Sequence, residues 1–191
     1  MCKQRCDWAK GAFPEYELYH DEEWGVPVHD DQVFFEFLIL EGAQAGLSWS
    51  TVLRKRKGYR MAFDNFDVHK VAAMNDETLM RLENNSEIIR NKLKIQSAVN
   101  NAKRFIEIQN EFGSFDQYVW SFVNNKTIHG HWHKMSDVPA TTKESENLSK
   151  DLKKRGFKFV GSTIMYAFMQ ATGLVNDHVV ECFRYQELKA L

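Results

Sequence analysis

Apolar residues recur at helical spacing along much of the chain, with little of the two-residue alternation typical of strands. The first clear pattern predicts a helix over residues 31–40, with Asp30 and Asp31 as candidate N-caps. Gly42 and Gly46 follow it and predict a tight passage of small residues. The apolar face of this helix consists of Val33, Phe34, Phe37, Leu38 and Leu40.

The middle of the chain carries further helical patterns. Asp67 and Asn75 each precede a short one as a candidate N-cap. The longest pattern runs from Asn91 to Asn110 and is closed by Gly113, and Ser114 begins the next helix. We interpret the aromatic side chains of these stretches as core residues rather than as a surface on which bases stack.

The periodicity fades between Asn124 and Pro139, where His129, His131 and His133 stand two residues apart. Such a cluster fits either a metal site or a solvated loop. Because no cysteine or carboxylate supports it as a ligand set, the solvated loop is favoured.

Two further helices flank a glycine-bounded turn near the end of the chain. Thr141-x-x-Glu144 is a capping-box pattern that predicts the first helix. The turn spans residues 156–161, and Ser162 is expected to cap a second helix that runs to Gly173. Since neither strand-like runs nor Asn-Gly turns appear, the sequence predicts an all-α fold.

Composition narrows the class of protein. A length of 191 residues fits one helical unit, or two closely packed subdomains whose boundary cannot be assigned. The net charge of −1 argues against a protein that coats polyanions indiscriminately, although local basic clusters can still grip a phosphate backbone. Three cysteines, one of them Cys2, do not form a disulfide framework. With no leader and no membrane-spanning run in the sequence, a cytoplasmic location is expected.

Two cysteines and two histidines lie near opposite ends of the chain, namely Cys6, His20, His178 and Cys182. A set of four thiolate and imidazole ligands suits a closed tetrahedral zinc site. The spacing His178-x-x-x-Cys182 would place two of them on one helical face. Alternatively, the cysteines are small buried hydrophobic residues and the histidines are unrelated surface groups.

The 156–161 turn is a candidate phosphate site. Gly156 and Gly161 allow close backbone approach, and the start of the following helix presents unsatisfied amides. A solvated basic helix end explains the same pattern, because cations are favoured near helix C-termini. The basic residues near the turn are Lys150, Lys153, Lys154, Arg155 and Lys158.

Glu41 follows the apolar run of the first helix and precedes small residues, so its carboxylate is expected to be poorly solvated. A buried carboxylate of this kind is a functional candidate. The aromatic residues near it and near His20 could form a box for a planar ligand, although aromatic side chains are more often core residues. They are Trp8, Tyr16, Tyr19, Trp24 and Trp49.

Several long segments in this order resemble the 3-methyladenine DNA glycosylase I family, within the helix-hairpin-helix DNA glycosylases. The resemblance extends from Cys6 to Cys182 and is weak only between Asn124 and Glu146. The segments that carry it are Cys6-Asp7-Trp8, Tyr19 to Pro27, Leu40 to Trp49, Lys154 to Gly161 and Gly173 to Cys182.

The resemblance implies an all-α helix-hairpin-helix fold in which structural Zn²⁺ joins the termini through the Cys6, His20, His178 and Cys182 quartet. It also implies a DNA-binding turn made of Gly156, Phe157, Lys158, Phe159, Val160 and Gly161. In related glycosylases an aspartate after this motif assists catalysis. Here Asn176 takes that place with Asp177 one residue on, so no catalytic role is assigned to Asp177.

The resemblance further implies a base pocket of Glu41, Tyr16, Tyr19 and Trp49, lined by Trp8 and Trp24. The implied activity is hydrolysis of the N-glycosidic bond of 3-methyladenine in double-stranded DNA by a monofunctional, monomeric enzyme without lyase activity. Glu41 is the expected catalytic and base-selecting residue.

Two other classes of function are weighed against this one. A DNA-binding module could use the turn and the zinc site as a scaffold, but it would not need a carboxylate beside an aromatic box. A zinc hydrolase is disfavoured because four protein ligands leave no coordination position for an activating water.

Overall fold

The computed structural model describes residues 3–190, so Cys2 lies outside the described part. Helices make up most of it, and two very short strands complete it. The helices are α1 (Pro14–Glu22), α2 (Asp31–Gln44), α3 (Trp49–Arg54), α4 (Arg56–Ala62), α5 (Val68–Ala72), α6 (Asp76–Glu83), α7 (Lys92–Phe112), α8 (Phe115–Trp120), α9 (Lys143–Lys154), α10 (Ser162–Ala171) and α11 (Phe183–Lys189). Single 3-10 turns occupy Asp7–Ala9, Asp64–Phe66, Ser121–Val123 and Met135–Asp137.

Most of the predicted helix starts are confirmed by side-chain hydrogen bonds. The Asp30 carboxylate accepts from the amides of Gln32 and Val33 at 2.8 and 3.1 Å and so caps α2. The same capping contact is made at the starts of α5, α6, α7 and α8 by Asp67, Asn75, Asn91 and Ser114. These short polar side chains satisfy amides that have no partner within the helix, which is why each start can be predicted from sequence.

Helix α2 is buried over most of its length and continues beyond the predicted end at Leu40. Glu41 therefore lies inside this helix, and not just after it as the sequence pattern predicts. The C-terminal end of α2 is held by Lys94 of α7, whose ammonium group donates to the carbonyl oxygens of Ala43 and Ala45, both at 2.7 Å. This contact fixes the helix end that carries Glu41.

The caps of α9 and α10 differ from the predicted ones. The capping box of α9 pairs Thr142 with Ser145, rather than Thr141 with Glu144. At α10 the N-cap is Gly161, and Ser162 is the first helical residue. No side chain caps the start of this helix. The first amides of α10 are therefore left without a side-chain acceptor.

One small sheet departs from the all-α prediction. Ile128–His129 pairs in parallel with Val175–Asn176, and two residues on each strand form the entire contact. Strands this short have no detectable period, so the sequence pattern could not show them. The pairing brings the segment after Asn124 against the C-terminal part of the chain. Among the described residues, no helix is both long and apolar enough to cross a membrane.

Candidate active site and metal centre

An aromatic pocket of about 150 Å³ lies between α1, α2, the start of α3 and α10. A cavity near this volume can hold a single aromatic ring. The pocket is open on one side, so a larger planar group can extend through its mouth. The residues that line the aromatic pocket are Trp8, Tyr16, Tyr19, Trp24, Glu41, Gln44, Trp49, Ala167 and Gln170.

The aromatic rings of the pocket contact one another at angles that leave a gap rather than a closed stack. Trp8 meets Tyr16 and Trp24 edge to face, with centroids 5.2 and 5.1 Å apart. Tyr19 and Trp49 lie 5.1 Å apart with their planes tilted by 45°. All five aromatic residues proposed from sequence as a ligand box therefore converge here.

Glu41 enters this pocket from α2 with a side chain that is almost completely buried. The residue is 3% exposed, and its Oε2 atom has no hydrogen-bond partner among residues 3–190. Burial raises the pKa of Glu41 to about 8, because the charged form loses its hydration. An unsatisfied buried carboxyl is costly, so its retention here favours a partner supplied by a ligand.

Trp49 supplies a second polar atom without a partner. Its indole Nε1 is buried and bonded to nothing in the described chain. Two residues that line the pocket thus carry a donor and an acceptor without partners, a combination that matches the mixed donors and acceptors along the edge of a base. Burial, and the nearby Glu41, also raise the pKa of Tyr16, so its hydroxyl keeps its proton at neutral pH.

Three lining residues were missed from the sequence, namely Gln44, Ala167 and Gln170. Gln44 lies three residues after Glu41, a spacing that would have placed it on the same helical side had α2 been predicted to continue. Ala167 and Gln170 share the same spacing on α10. No chemical signal in the sequence distinguishes them from other polar and small helical residues.

The cysteine and histidine quartet comes together at the junction of the two chain ends. All four residues are buried, and their ligand atoms lie within 4.8 Å of one another. Cys182 Sγ is 3.4 Å from His178 Nδ1 and 3.5 Å from His20 Nε2, and Cys6 Sγ is 3.6 Å from His178 Nδ1. The alternative of unrelated surface histidines is therefore wrong.

The outward ring nitrogens of both histidines have oxygen partners. His178 Nε2 lies 2.8 Å from the carbonyl oxygen of Trp24, and His20 Nδ1 lies 2.8 Å from the Asp21 carboxylate. Such partners orient an imidazole so that its other nitrogen faces a metal. The prediction that His178 and Cys182 share a helical face is wrong, because both precede α11 and a turn brings them together.

The 156–161 turn is held by side-chain hydrogen bonds from α7. Asn101 of α7 accepts from the Lys158 amide and donates to the Lys158 carbonyl, both at 2.9 Å. Phe157 and Val160 are buried, whereas Lys158 is exposed. Only the backbone of these two apolar residues could therefore contact a ligand.

The basic residues around this turn differ in whether their positive charge is already paired within the protein. Arg155 is paired with Glu111 and with Asp151, each at 2.7 Å, so it contributes little free positive charge. Four lysines remain exposed on or beside α9 and the turn. They are Lys150, Lys153, Lys154 and Lys158.

The three loop histidines do not form a joint metal site. His133 bonds to the Glu181 carboxylate at 2.9 Å, and His129 contacts Asn176 at 3.2 Å. Within residues 3–190, the quartet is the only set of three or more such side chains found close enough to share an ion. All three histidines are exposed, as the solvated interpretation predicts, although His129 lies in the short strand and not in a loop.

Comparisons with known proteins cover nearly the whole chain. A family model described as methyladenine glycosylase matches residues 8–185. DNA-3-methyladenine glycosylase 1 of Escherichia coli (strain K12) is 50% identical over 182 residues, which are 95% of this chain and 97% of the relative. A DNA-3-methyladenine glycosylase of Haemophilus influenzae is 47% identical over 178 residues, covering 93% of this chain and 96% of the relative.

Solved structures give the same result for the fold. A crystal structure of 3-methyladenine DNA glycosylase I superimposes with a TM-score of 0.91 at 49% identity, covering 94% of this chain and 98% of the other. A variant of 3-methyladenine DNA glycosylase I in complex with 3-methyladenine gives a TM-score of 0.90 at 36% identity, covering 94% and 96%.

Proposed function

The chain belongs to the methyladenine glycosylase family, and we propose that it hydrolyses the N-glycosidic bond of 3-methyladenine in alkylated DNA. The products are the free base and an abasic site. The observation that carries this proposal is the position of Glu41, which has an unpartnered carboxyl oxygen and lines an open aromatic pocket that can receive a planar ring.

The chemistry of the substrate fits a pocket without a strong acid and base pair. An unmodified adenine leaves its sugar as an anion unless it is protonated. Methylation at N3 makes the attached base cationic, so the base departs in neutral form and needs little help from a general acid. The enzyme can then use its binding energy to extract the base from the duplex and to identify it.

We assign Glu41 the selection of the cationic base and part of catalysis. Its pKa of about 8 means that the carboxyl is mostly protonated in the empty pocket at neutral pH. A positively charged purine favours the carboxylate, so the substrate would drive the proton off Glu41 on entering. The resulting carboxylate accepts a hydrogen bond from the adenine edge and stabilises positive charge on base and sugar.

The aromatic residues would bind the faces of the flipped base. We place Trp49, Tyr16 and Tyr19 in stacking contact, with Trp8 and Trp24 as further lining. Stacking of a cationic ring system on these faces carries a cation–π contribution of roughly 0.5–2 kcal/mol. Water attacks the sugar carbon that the base leaves.

DNA binding is proposed for the 156–161 turn and the start of α10, the helix-hairpin-helix element. The support is the uncapped N-terminus at Gly161, where backbone amides can donate to a phosphate. The exposed lysines add charge attraction without reading sequence. The buried Phe157 and Val160 would shape the turn rather than contact DNA through their side chains.

Structural Zn²⁺ is proposed for the quartet of Cys6, His20, His178 and Cys182. The fit rests on the donor set itself, since two sulfur and two nitrogen atoms lie close together in a buried site. Four such ligands match a closed tetrahedral centre, whose contribution is to stability rather than to the reaction. Bound metal would tie the segment before α1 to the segment before α11.

We further propose that residues 1–191 act as one monofunctional unit. The absence of lyase activity is what the family resemblance implies for this chain. The monomeric state and the cytoplasmic location stay predictions from sequence.

Measuring the release of free base distinguishes a glycosylase from a DNA-binding module without catalytic activity. Methylated duplex DNA incubated with the protein should release 3-methyladenine, identified by chromatography, and leave alkali-labile abasic sites. A protein that binds this DNA tightly yet releases no base would instead be a non-catalytic DNA-binding module.

A further inference from the structure

Asp177 is a buried carboxylate next to the aromatic pocket but not on its wall. It is 1% exposed and accepts three hydrogen bonds. Trp132 Nε1 donates to its Oδ1 at 2.7 Å, and Tyr166 Oη and Gln170 Nε2 donate to its Oδ2 at 2.5 and 2.8 Å. Gly130 makes this burial possible, because a Cβ there would overlap with both Trp132 and Asp177.

These bonds fix the orientation of the Gln170 amide. The Gln170 amide atom that faces Asp177 is the NH₂ nitrogen, which donates to Oδ2. The carbonyl Oε1 of Gln170 then points away from Asp177. Within the described chain, no donor is bonded to this oxygen, and Gln170 lines the aromatic pocket.

The location of Gln170 indicates which part of a nucleotide it would meet. A cleft of about 410 Å³ adjoins the aromatic pocket and shares Glu41, Gln44 and Ala167 with it. This cleft leads to the start of α10, where the DNA backbone is proposed to bind. Gln170 lines the aromatic pocket and not this cleft, which places it to meet the base rather than the sugar.

We propose that Gln170 is a specificity-determining residue that presents a carbonyl acceptor to the 6-amino group of the methylated purine, and that Asp177 is the positioning residue that holds it so. This inference rests on the proposed function. A carbonyl acceptor attracts the 6-amino group of adenine and repels the 6-carbonyl of guanine. It therefore selects 3-methyladenine over 3-methylguanine at the same site.

This assignment also gives Asp177 a role other than activating water. Both of its oxygens are occupied by donors from the protein, and neither reaches the pocket wall. A general base must lie within hydrogen-bond reach of the proton that it takes, directly or through one water. Asp177 instead acts through Gln170.

The substitution Asp177→Asn tests the inference by reversing the Gln170 amide. Trp132 can only donate, so the oxygen of the introduced side-chain amide must stay on the Trp132 side. The introduced NH₂ group then faces Gln170 in place of Oδ2, and the Gln170 amide must turn to offer Oε1. The pocket would consequently receive an NH₂ donor where it had a carbonyl acceptor.

The expected result is a change in selectivity. Single-turnover excision of 3-methyladenine should fall about tenfold in Asp177→Asn, as for a hydrogen bond replaced by a donor–donor contact. The ratio of 3-methyladenine to 3-methylguanine released from the same methylated DNA should fall with it. Tyr166→Phe removes a donor to Asp177 without turning Gln170, so this control should keep the wild-type ratio.

A double variant provides the rescue. In Asp177→Asn combined with Gln170→Glu, one oxygen of the new carboxylate accepts from the amide introduced at position 177, and the other faces the pocket as an acceptor. Excision of 3-methyladenine and the selectivity ratio should recover towards wild type. A purely structural role for Asp177 would not predict recovery from a second substitution that adds charge.

The outcomes separate this inference from the proposed function. If the wild type releases no methylated base, the proposed function fails. If the wild type is active and folded Asp177→Asn keeps both its rate and its ratio, the inference is overturned and the function stands. If excision is lost in Asp177→Asn and the double variant stays inactive, Asp177 acts directly and the positioning role is wrong.

Discussion

Gly42 and Phe159 join the helix of the candidate catalytic residue to the proposed DNA-binding turn. A Cβ placed on Gly42 would lie 3.3 Å from Cβ of Phe159 and 3.7 Å from its carbonyl oxygen. Phe159 itself has a φ of +55°, an uncommon conformation for a residue with a side chain. The absence of a side chain at Gly42 therefore lets the turn rest directly on α2, beside Glu41.

This contact predicts that Gly42→Val displaces the turn from α2. Overpacking at a buried site costs about 1–3 kcal/mol, and here part of it should appear as weaker binding to undamaged duplex DNA. Gly42→Ala adds only the atom that the contact barely accommodates, so its effect should be smaller. Fluorescence anisotropy with labelled duplex measures both. Equal affinities of all three proteins for DNA would show that the contact does not support the turn.

At the other end of the turn, Gly161→Val should weaken DNA binding while the protein stays folded. The nearest atom to an added Cβ at Gly161 is 4.0 Å away, and the residue has an ordinary φ of −62°, so the native fold accepts a side chain there. The side chain would instead block phosphate from the α10 amides, and we expect roughly tenfold weaker binding, or about 1.4 kcal/mol. A salt titration should also weaken wild-type binding. Unchanged affinity in the variant across the salt series would remove the turn from the interface.

The raised pKa of Glu41 predicts a stability effect of defined sign. In the unfolded chain Glu41 ionises near its ordinary pKa of 4.5, whereas in the fold its pKa is about 8. The folded state binds more protons between these values, so the free energy of unfolding falls as pH rises through this window, by up to about 1.4 kcal/mol per pH unit. Glu41→Gln should lack this contribution.

Urea unfolding of both proteins at several pH values measures the difference. Relative to wild type, the Glu41→Gln protein should gain stability steadily from about pH 5 to about pH 8, the window set by the two pKa values. A difference that does not change with pH would mean that Glu41 ionises normally in the fold. The kcat/KM for excision should rise with pH up to about 8, because this ratio reports ionisation in the free enzyme.

Metal analysis tests the proposed zinc centre. Purified protein should contain about one zinc ion per chain, and Cys182→Ala should lose most of it and unfold at lower temperature. Cys2→Ala, which changes a cysteine outside the quartet, is the matched control and should keep its zinc. Full zinc occupancy in Cys182→Ala would exclude this ligand set.

Features of the fold and site that depend on residues close together in the sequence can be predicted well. The N-caps at Asp30 and Asn91 act within three residues, and their helices begin where predicted. The burial of Glu41 is also foreseeable, because an apolar helix precedes it. Its position inside α2 could not be predicted, because the glycine at position 42 suggests that the helix ends there. The structure shows another reason for this glycine, namely the close approach of Phe159.

Contacts between distant segments account for the rest. Trp132 reaches Asp177 across 45 positions, from a segment without periodicity, so no pattern links them. Likewise, the spacing of His178 and Cys182 suggests a helix, but a turn ahead of α11 brings them together. Contacts of this kind are determined by long-range packing, so they cannot be predicted from the spacing of residues along the chain.

The most direct test of the central claim is single-turnover excision from DNA containing 3-methyladenine, compared between wild type and Glu41→Gln. The substitution keeps size but removes charge, so the released 3-methyladenine should appear more slowly by a factor that corresponds to ~1.5–3 kcal/mol, the strength of a charged hydrogen bond. Glu22→Gln alters an exposed glutamate of α1 and should excise at the wild-type rate. Near-wild-type excision by well-folded Glu41→Gln protein would contradict the account, because stacking in the aromatic pocket would then suffice without this carboxylate.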